Sequence, residues 1–366
     1  MGAAISSTQF FLYGKRHFTR TGYERHVKKY TEAVQNAANI GIGAPGADGV
    51  DMTGKVVVVT GANSGLGKEV ATYCAAKGAK LYMLCRSKDR AETAKKEIVE
   101  MTGNDSVDVV VVDVGELSQV RDAAKSLQGK EKTIDCLVCN AGVLLNDKQE
   151  SSEGNEATFA SHLLGGTYLL SKLLMPQIEA SEEGRIVVVT SGGMYSTYLP
   201  SWETLTSVDG KKYNGVDAYA YAKRGQVILA ERWAAEYPKV KIVTAHPGWS
   251  DTKAVTEAFG SSSKYLEPLR KPWQGKFPVD GCFFLLKMLA SSPNCSPRVS
   301  HGTGAEGISW LTATKAENLK SGEFYLDRLV APKHISGPFF TEGSYTKNTD
   351  EEIDTFLKKL AEVAKV

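Results

Sequence analysis

Along residues 55–248, six short runs rich in Val and Ile recur: "KVVVVTG", "KLYMLCR", "VDVVVVDV", "IDCLVCNAG", "GRIVVVTSGG" and "VKIVTAHPG". None alternates apolar with polar residues as a half-exposed strand does, so each reads as a strand covered on both faces. The segments between them, such as "LGKEVATYCAAKG" and "SKDRAETAKKEIVEMTG", have helical periodicity, and several end at glycine. Such alternation predicts an α/β fold, a doubly wound parallel sheet with helices on both sides. At 366 residues, 42% of them hydrophobic, the chain can fill one large core. The domain is expected at residues 53–335. A basic extension ending in the Gly-rich linker "IGIGAPGADGVD" occupies 1–52, and a tail occupies 336–366.

A net charge of +2 gives no global pull toward nucleic acid, and none is expected as a partner. No apolar run reaches the ~18 residues of a membrane span. Six cysteines stand at 74, 85, 136, 139, 282 and 295. Cys136 and Cys139 are three apart on a strand, so they face opposite sides and cannot grip one metal. They read as core thiols of a reducing, cytoplasmic compartment, with no metal site. Residues 290–307 look like a surface insertion. In the tail, Thr349 and Glu352 suit a capping box, and Ile353, Phe356, Leu357 and Leu360 make one apolar stripe.

The first strand runs into "TGANSGLG", with Gly61, Gly65 and Gly67. A Gly-rich turn between a buried strand and a helix lets backbone N–H groups and the helix dipole meet a pyrophosphate, the dinucleotide site of a Rossmann fold. The second strand ends at Arg86, where NAD-preferring sites carry an acidic residue. A guanidinium there suits a 2′-phosphate, so NADP(H) is favoured over NAD(H). Further on, Tyr219 and Lys223 are four apart and share a helix face, while Tyr221 points away. An ammonium beside a phenol lowers its pKa, which suits proton exchange near neutrality.

The glycine spacing T-G-x-x-x-G-x-G, "CNAG" after the fourth strand, the serine of "VVVTSGG", Tyr219-x-x-x-Lys223 and "HPG" after the sixth strand occur in that order. Together they resemble the short-chain dehydrogenase/reductase family, classical subtype, across about residues 54–335. The likeness extends to one branch of that family through "FTRTGYE", "TSGGM", "KRGQVILAERWA", "HPGWSDT" and "FYLDR". The extended subtype of epimerases and dehydratases carries T-G-x-x-G-x-x-G instead, which this chain lacks.

The resemblance implies an oxidoreductase that interconverts a carbonyl and an alcohol by hydride transfer. Tyr219 is then proton donor and acceptor, Lys223 lowers its pKa, and Ser191 polarises the substrate oxygen, a division of labour that also suits developing alkoxide charge. It further implies cofactor contacts at Gly61, Asn63, Ser64, Gly65, Leu66, Gly67, Arg86, Asp113, Val114, Asn140, Ala141, Gly142, Tyr219, Lys223, Pro247, Gly248, Trp249 and Thr252. One position departs. The family has an asparagine on the preceding helix, holding a water that relays protons toward the lysine. Here "FASHLLGGTYLL" puts His162 in that place, with one extra residue before Thr167. A relay through His162, titrating near neutrality, and a histidine that only packs both stay open.

The loops at about 192–216 and 253–307 would hold the substrate. Tyr195, Tyr198, Leu199 and Trp202 in the first, and Phe259, Tyr265, Leu266, Leu269 and Trp273 in the second, suit a hydrophobic aldehyde, ketone or alcohol. A cofactor-binding scaffold or redox sensor with little turnover is the alternative. The start "MGAAIS" fits M-G-x-x-x-S/T for myristoylation of Gly2. With Lys15, Arg16, Arg20, Arg25, Lys28 and Lys29 after it, peripheral attachment to a membrane face is an expectation. Homo-oligomers are common in the family, and one is open here.

Overall fold

The structure, a computed structural model, describes residues 9–10, 12–14, 16–18, 22–23, 25–29, 50–248, 302–336 and 345–366. The six expected runs are strands: β1 (Val56–Thr60), β2 (Lys80–Cys85), β3 (Val107–Val111), β4 (Cys136–Cys139), β5 (Arg185–Val189) and β6 (Lys241–His246). Two more follow, β7 (Phe324–Leu326) and β8 (Leu329–Ala331). The sheet order is β3-β2-β1-β4-β5-β6-β7-β8, parallel throughout except for the antiparallel β7–β8 hairpin. The order reverses beside β1, between β1 and β4, where the carboxyl ends of strands leave a crevice for a ligand.

The helices are α1 (Gly65–Ala76), α2 (Lys88–Thr102), α3 (Leu117–Lys130), α4 (Ala157–Phe159, Ala160–Leu169 and Leu170–Glu179 in one continuous run), α5 (Trp202–Leu205), α6 (Gly215–Glu236), α7 (Gly302–Ala313) and α8 (Asp350–Ala364). Alternate strand residues feed two cores. Val58, Leu137, Val188 and Ile242 face α3, α4, α6 and α8, while Val57, Val138, Val187 and Val243 face α1, α2 and α7. Cys139 lies in the first core and Cys136 in the second, so the C-x-x-C pair does straddle the sheet. Burial pushes both thiols up to about 12, which keeps them protonated and inert. Cys282 and Cys295 lie outside the described residues.

The tail is an integral part of the domain. Thr349 Oγ accepts from the Glu352 N–H while the Glu352 carboxylate accepts from the Thr349 N–H, the reciprocal capping box. Phe356 and Leu360 are buried on the first core, and Ile353 and Leu357 pack at its margin. Burial of each such side chain stabilises by about 1.5–3 kcal/mol. One expectation is corrected. Residues 302–307 belong to α7, not to a surface insertion or substrate loop, because "AEGISWLTA" presents Ala305, Ile308 and Leu311 to the core beside α1. Gly307 passes so close to the β7–β8 hairpin that a Cβ would stand 2.5 Å from the Asp327 carbonyl. Residues 290–301 lie outside the described residues.

Candidate active site

The phosphate end is built by β1, the turn after it and α1. Gly61 has φ +66° and Gly65 φ +54°, a left-handed backbone that glycine adopts without strain. Ser64 caps α1 in extended conformation with no side-chain hydrogen bond, and no acidic residue stands in the first turn. No Ser64 side-chain bond therefore caps the first N–H groups of this 12-residue helix. Asn63, Gly65 and Leu66 complete the turn.

The Asn140–Gly142 segment braces this turn. Asn140 Nδ2 donates to the Thr60 carbonyl at 2.9 Å, and the Asn140 and Ala141 N–H groups both donate to Thr60 Oγ1 at 2.9 Å. A Cβ on Gly67 would stand 2.4 Å from Asn140 Nδ2, so the helix can approach only with glycine there. The side chain of Asn140 is thus occupied in fixing the loop.

Arg86 follows β2 directly. Its Nη1 lies 3.4 Å from Asp113 Oδ2, with the arginine side chain 64% exposed. Such a long, solvated ion pair contributes little and leaves the guanidinium open to a better partner. Asp113 is itself held in place: its N–H donates to Gln119 Oε1, and its Oδ1 accepts from the Gly115 N–H. Val114 is buried against α4.

The chemical end lies where β5 and α6 meet. Ser191 caps the 3₁₀ turn Gly192–Ser196, its Oγ accepting from the Gly193 N–H at 3.3 Å. Burial raises the pKa of the Tyr219 phenol on α6, and the nearby Ser191 hydroxyl lowers it by less. Lys223, one turn along, is 3% exposed. Its Nζ donates to the Val189 carbonyl at 2.7 Å and sits 5.4 Å from the centre of the Tyr219 ring. Burial without a carboxylate partner lowers its pKa to about 7. Tyr221 packs at the edge of the core, as the helix geometry predicts. Ser191, Tyr219 and Lys223 are therefore brought together.

His162 stands in the same cluster. The extra residue before Thr167 is accommodated by a π-helical stretch, Ala160–Leu169, the usual way an α-helix absorbs one residue near a site. The His162 carbonyl accepts from Thr167 Oγ1 at 2.6 Å and from Gln226 Nε2 at 2.8 Å, which compensates the widened helix. The imidazole stands edge-on to Tyr219, with 5.2 Å between ring centres. Nε2 lies against the Val143 backbone, 3.0 Å from its N–H and 2.7 Å from its carbonyl oxygen, while Nδ1 is buried without a partner among the described residues. Burial and the Lys223 charge hold its pKa well below the ordinary range. The expectation that His162 titrates near neutrality is corrected: it stays neutral, because a second cation beside Lys223 in a dry site is too costly.

The first substrate loop also departs from expectation. Tyr195 is 1% exposed and Leu199 is buried, and Trp202 stacks edge-on against Phe159. Only Tyr198, at 55%, is exposed. The loop turns inward because Tyr195 packs with Tyr13, Phe18 and Phe324, a covering segment that composition alone does not reveal. Pro247 and Gly248 follow β6, Gly248 with φ +70°. Trp249, Thr252 and residues 253–279 lie outside the described residues, as does Gly2. Sequence reasoning missed His246, the last residue of β6, whose Nδ1 accepts from the Gly192 N–H at 3.3 Å. Its place directly before Pro247 in "HPG" was the available signal.

Comparison with known proteins agrees with this geometry. The model of the short chain dehydrogenase family matches residues 55–199. Human dehydrogenase/reductase SDR family member 12 is 29% identical over 98% of each chain. A short-chain dehydrogenase/reductase of Armillaria gallica is 32% identical over 73% of this chain and 84% of its own. Human retinol dehydrogenase 11 is 33% identical over 56% of this chain and 62% of its own. With its glycine turn, its sheet and these likenesses taken together, the chain belongs to the short-chain dehydrogenase/reductase family, oxidoreductases that act on carbonyl and alcohol groups with a nicotinamide cofactor.

Proposed function

We propose that the chain is an NADP(H)-dependent reductase or dehydrogenase of a hydrophobic carbonyl or alcohol, with Ser191, Tyr219 and Lys223 as its catalytic residues. The observation that carries this is the buried Lys223 side chain, which has no carboxylate partner among the described residues and lies beside the Tyr219 ring. A stability-driven core would not keep an uncompensated cation there. The Ser191 hydroxyl polarises the substrate oxygen, and Tyr219 gives that oxygen its proton as alkoxide charge develops. Lys223 favours the phenolate and so returns the Tyr219 pKa toward neutrality. When bound, the nicotinamide supplies or accepts the hydride. The uncapped α1 N-terminus would hold the pyrophosphate, and Arg86 a 2′-phosphate. The buried Nδ1 of His162 supports a role in holding a water toward Lys223.

Retinol dehydrogenase 11 acts, by its name, on an apolar alcohol, which favours an apolar substrate here as well. The basic residues of the N-terminus, with a lipid on Gly2, would bring the protein to a membrane surface where such substrates dissolve. No described helix is long and apolar enough to cross a membrane. The test is NADPH consumption by the purified chain across aldehydes, ketones and quinones, with NADH and Tyr219→Phe in parallel. Turnover that needs NADPH and is lost in the variant is the expected result. Tight NADPH binding with no turnover on any carbonyl would replace this proposal with a cofactor-binding scaffold.

A further inference from the structure

The described residues of the N-terminal extension do not lie apart from the site. Phe10, Tyr13 and Phe18 pack into a small core with Met194, Tyr195 and Phe324. Phe18 is 1% exposed and meets the His246 ring edge-to-face, with 4.4 Å between centres. His246 in turn accepts the Gly192 N–H through Nδ1, and Gly192 directly follows Ser191. Packing at that point is tight. A Cβ on Gly192 would stand 2.7 Å from Phe18 Cε2, 3.0 Å from Phe10 Cε2 and 3.0 Å from His246 Nε2. With Nδ1 accepting, the neutral ring carries its proton on Nε2, which is buried with no hydrogen-bond partner among the described residues. The fold tolerates an unmet buried donor in order to keep this histidine behind the serine turn.

A second attachment lies one strand away. His26 Nδ1 is 2.5 Å from Asp327 Oδ2, and its Nε2 is 3.1 Å from His17 Nδ1. His26 and Asp327 side chains are both buried. Asp327 sits in the β7–β8 hairpin with φ +58°, so the hairpin and the extension hold one another. The described part of the extension therefore has an anchor at His26 and a contact on the catalytic turn at Phe18.

We infer that the part of the N-terminal extension at Phe10, Tyr13 and Phe18 backs the active site, and that Phe18 and His246 of β6 act as positioning residues that fix Ser191 through Gly192. This rests on the catalytic role given to Ser191 above. Phe18 limits where the imidazole can rotate, the imidazole fixes the Gly192 N–H, and that bond sets the direction of the Ser191 side chain toward Tyr219. Loss of any link lets the turn sample other orientations, so the reaction slows while the distant phosphate site is untouched.

The experiment uses the full-length chain and whichever carbonyl it reduces best with NADPH. A chain that reduces none refutes the catalytic role of Ser191 and with it this positioning role. Given turnover, Phe18→Ala and His246→Phe should each lower kcat about tenfold or more, with the Kd for NADPH within about twofold. His246→Asn, which keeps an acceptor for Gly192, should recover most of that loss, and Phe18→Leu should lie between. The double variant Phe18→Ala/His246→Phe should be little worse than either single one, because both cut the same link. Leu360→Ala on α8 serves as a remote comparison that loses stability without losing kcat. Full kcat in Phe18→Ala and His246→Phe would overturn the inference. So would a fall in NADPH affinity parallel to kcat, or equal losses in His246→Asn and His246→Phe.

Discussion

Replacing Lys223 by methionine should stabilise the cofactor-free protein while abolishing turnover. Lys223 is 3% exposed, and its one hydrogen bond goes to a backbone carbonyl. Burial takes its pKa from 10.5 to about 7. At ~1.4 kcal/mol per pH unit, that drop is a penalty of about 4–5 kcal/mol at and below neutrality. Methionine fills a similar volume without charge, so the penalty disappears. The Val189 carbonyl loses its donor, which costs about 1 kcal/mol in return. The net gain is about 3 kcal/mol. With an unfolding entropy of ~2.1 cal/mol/K per residue, a chain of 366 residues should gain about 4 °C in Tm.

The pH dependence fixes the sign. Between about pH 7 and 10.5 the unfolded chain keeps the lysine proton while the folded chain has released it. Folding stability of the unmodified chain therefore rises with pH across that window. The advantage of Lys223→Met is largest at pH 6 and shrinks by about 2–3 kcal/mol by pH 9. Thermal denaturation of both cofactor-free proteins at pH 6, 7, 8 and 9 measures it directly. A variant less stable at pH 6, or an offset equal at pH 6 and pH 9, would refute the argument that Lys223 is buried as an uncompensated charge.

Arg86→Asp should weaken NADPH binding about tenfold or more and affect NADH far less, read by fluorescence titration with both cofactors. Gly142→Ala should destabilise by about 1–3 kcal/mol in urea denaturation, because a Cβ there would stand 1.8 Å from His162 Cε1 in a packed site. Cofactor binding that gives Lys223 new acceptors should raise its pKa again. Calorimetry at pH 8 in buffers of different ionisation enthalpy should then show uptake of about half a proton or more, absent in Lys223→Met.

The sheet was legible because strands covered on both faces leave a pattern that little else produces. The runs at 55–61, 80–86, 107–114, 134–142, 184–193 and 240–248 each contain their strand. The hairpin of β7 and β8 was not, since each strand has only three residues and its pairing is set by β6. Tyr219 and Lys223 were readable from their spacing and Ser191 from the family resemblance, and the three lie near one another at the meeting of β5 and α6. The contribution of Phe18 and His26 was not readable. Their partners, His246 and Asp327, lie 228 and 301 positions away along the chain, and no local period links such pairs. The π-helical stretch stands between the two cases: one surplus residue before Thr167 signals that the helix must widen, but not that Gln226 and Thr167 would take up the freed carbonyl.

Charge explains why these particular residues occupy the site. Lys223, His162 and His246 are all bases, all buried, and the Lys223 charge lowers both histidines further. A dry cluster of this kind sustains at most one cation. Burial lowers both bases by a similar amount, but the lysine starts higher, so His246 ends at about 3 while Lys223 still titrates at about 7. Lys223 is therefore the base of the three that titrates nearest neutrality, and it does so beside the phenol of Tyr219. The two histidines are left as neutral hydrogen-bonding groups, one on the Val143 backbone and one on Gly192. Exchanging either for a permanently charged residue would place a second cation against Lys223 and remove the first, and the proton chemistry at Tyr219 would go with it.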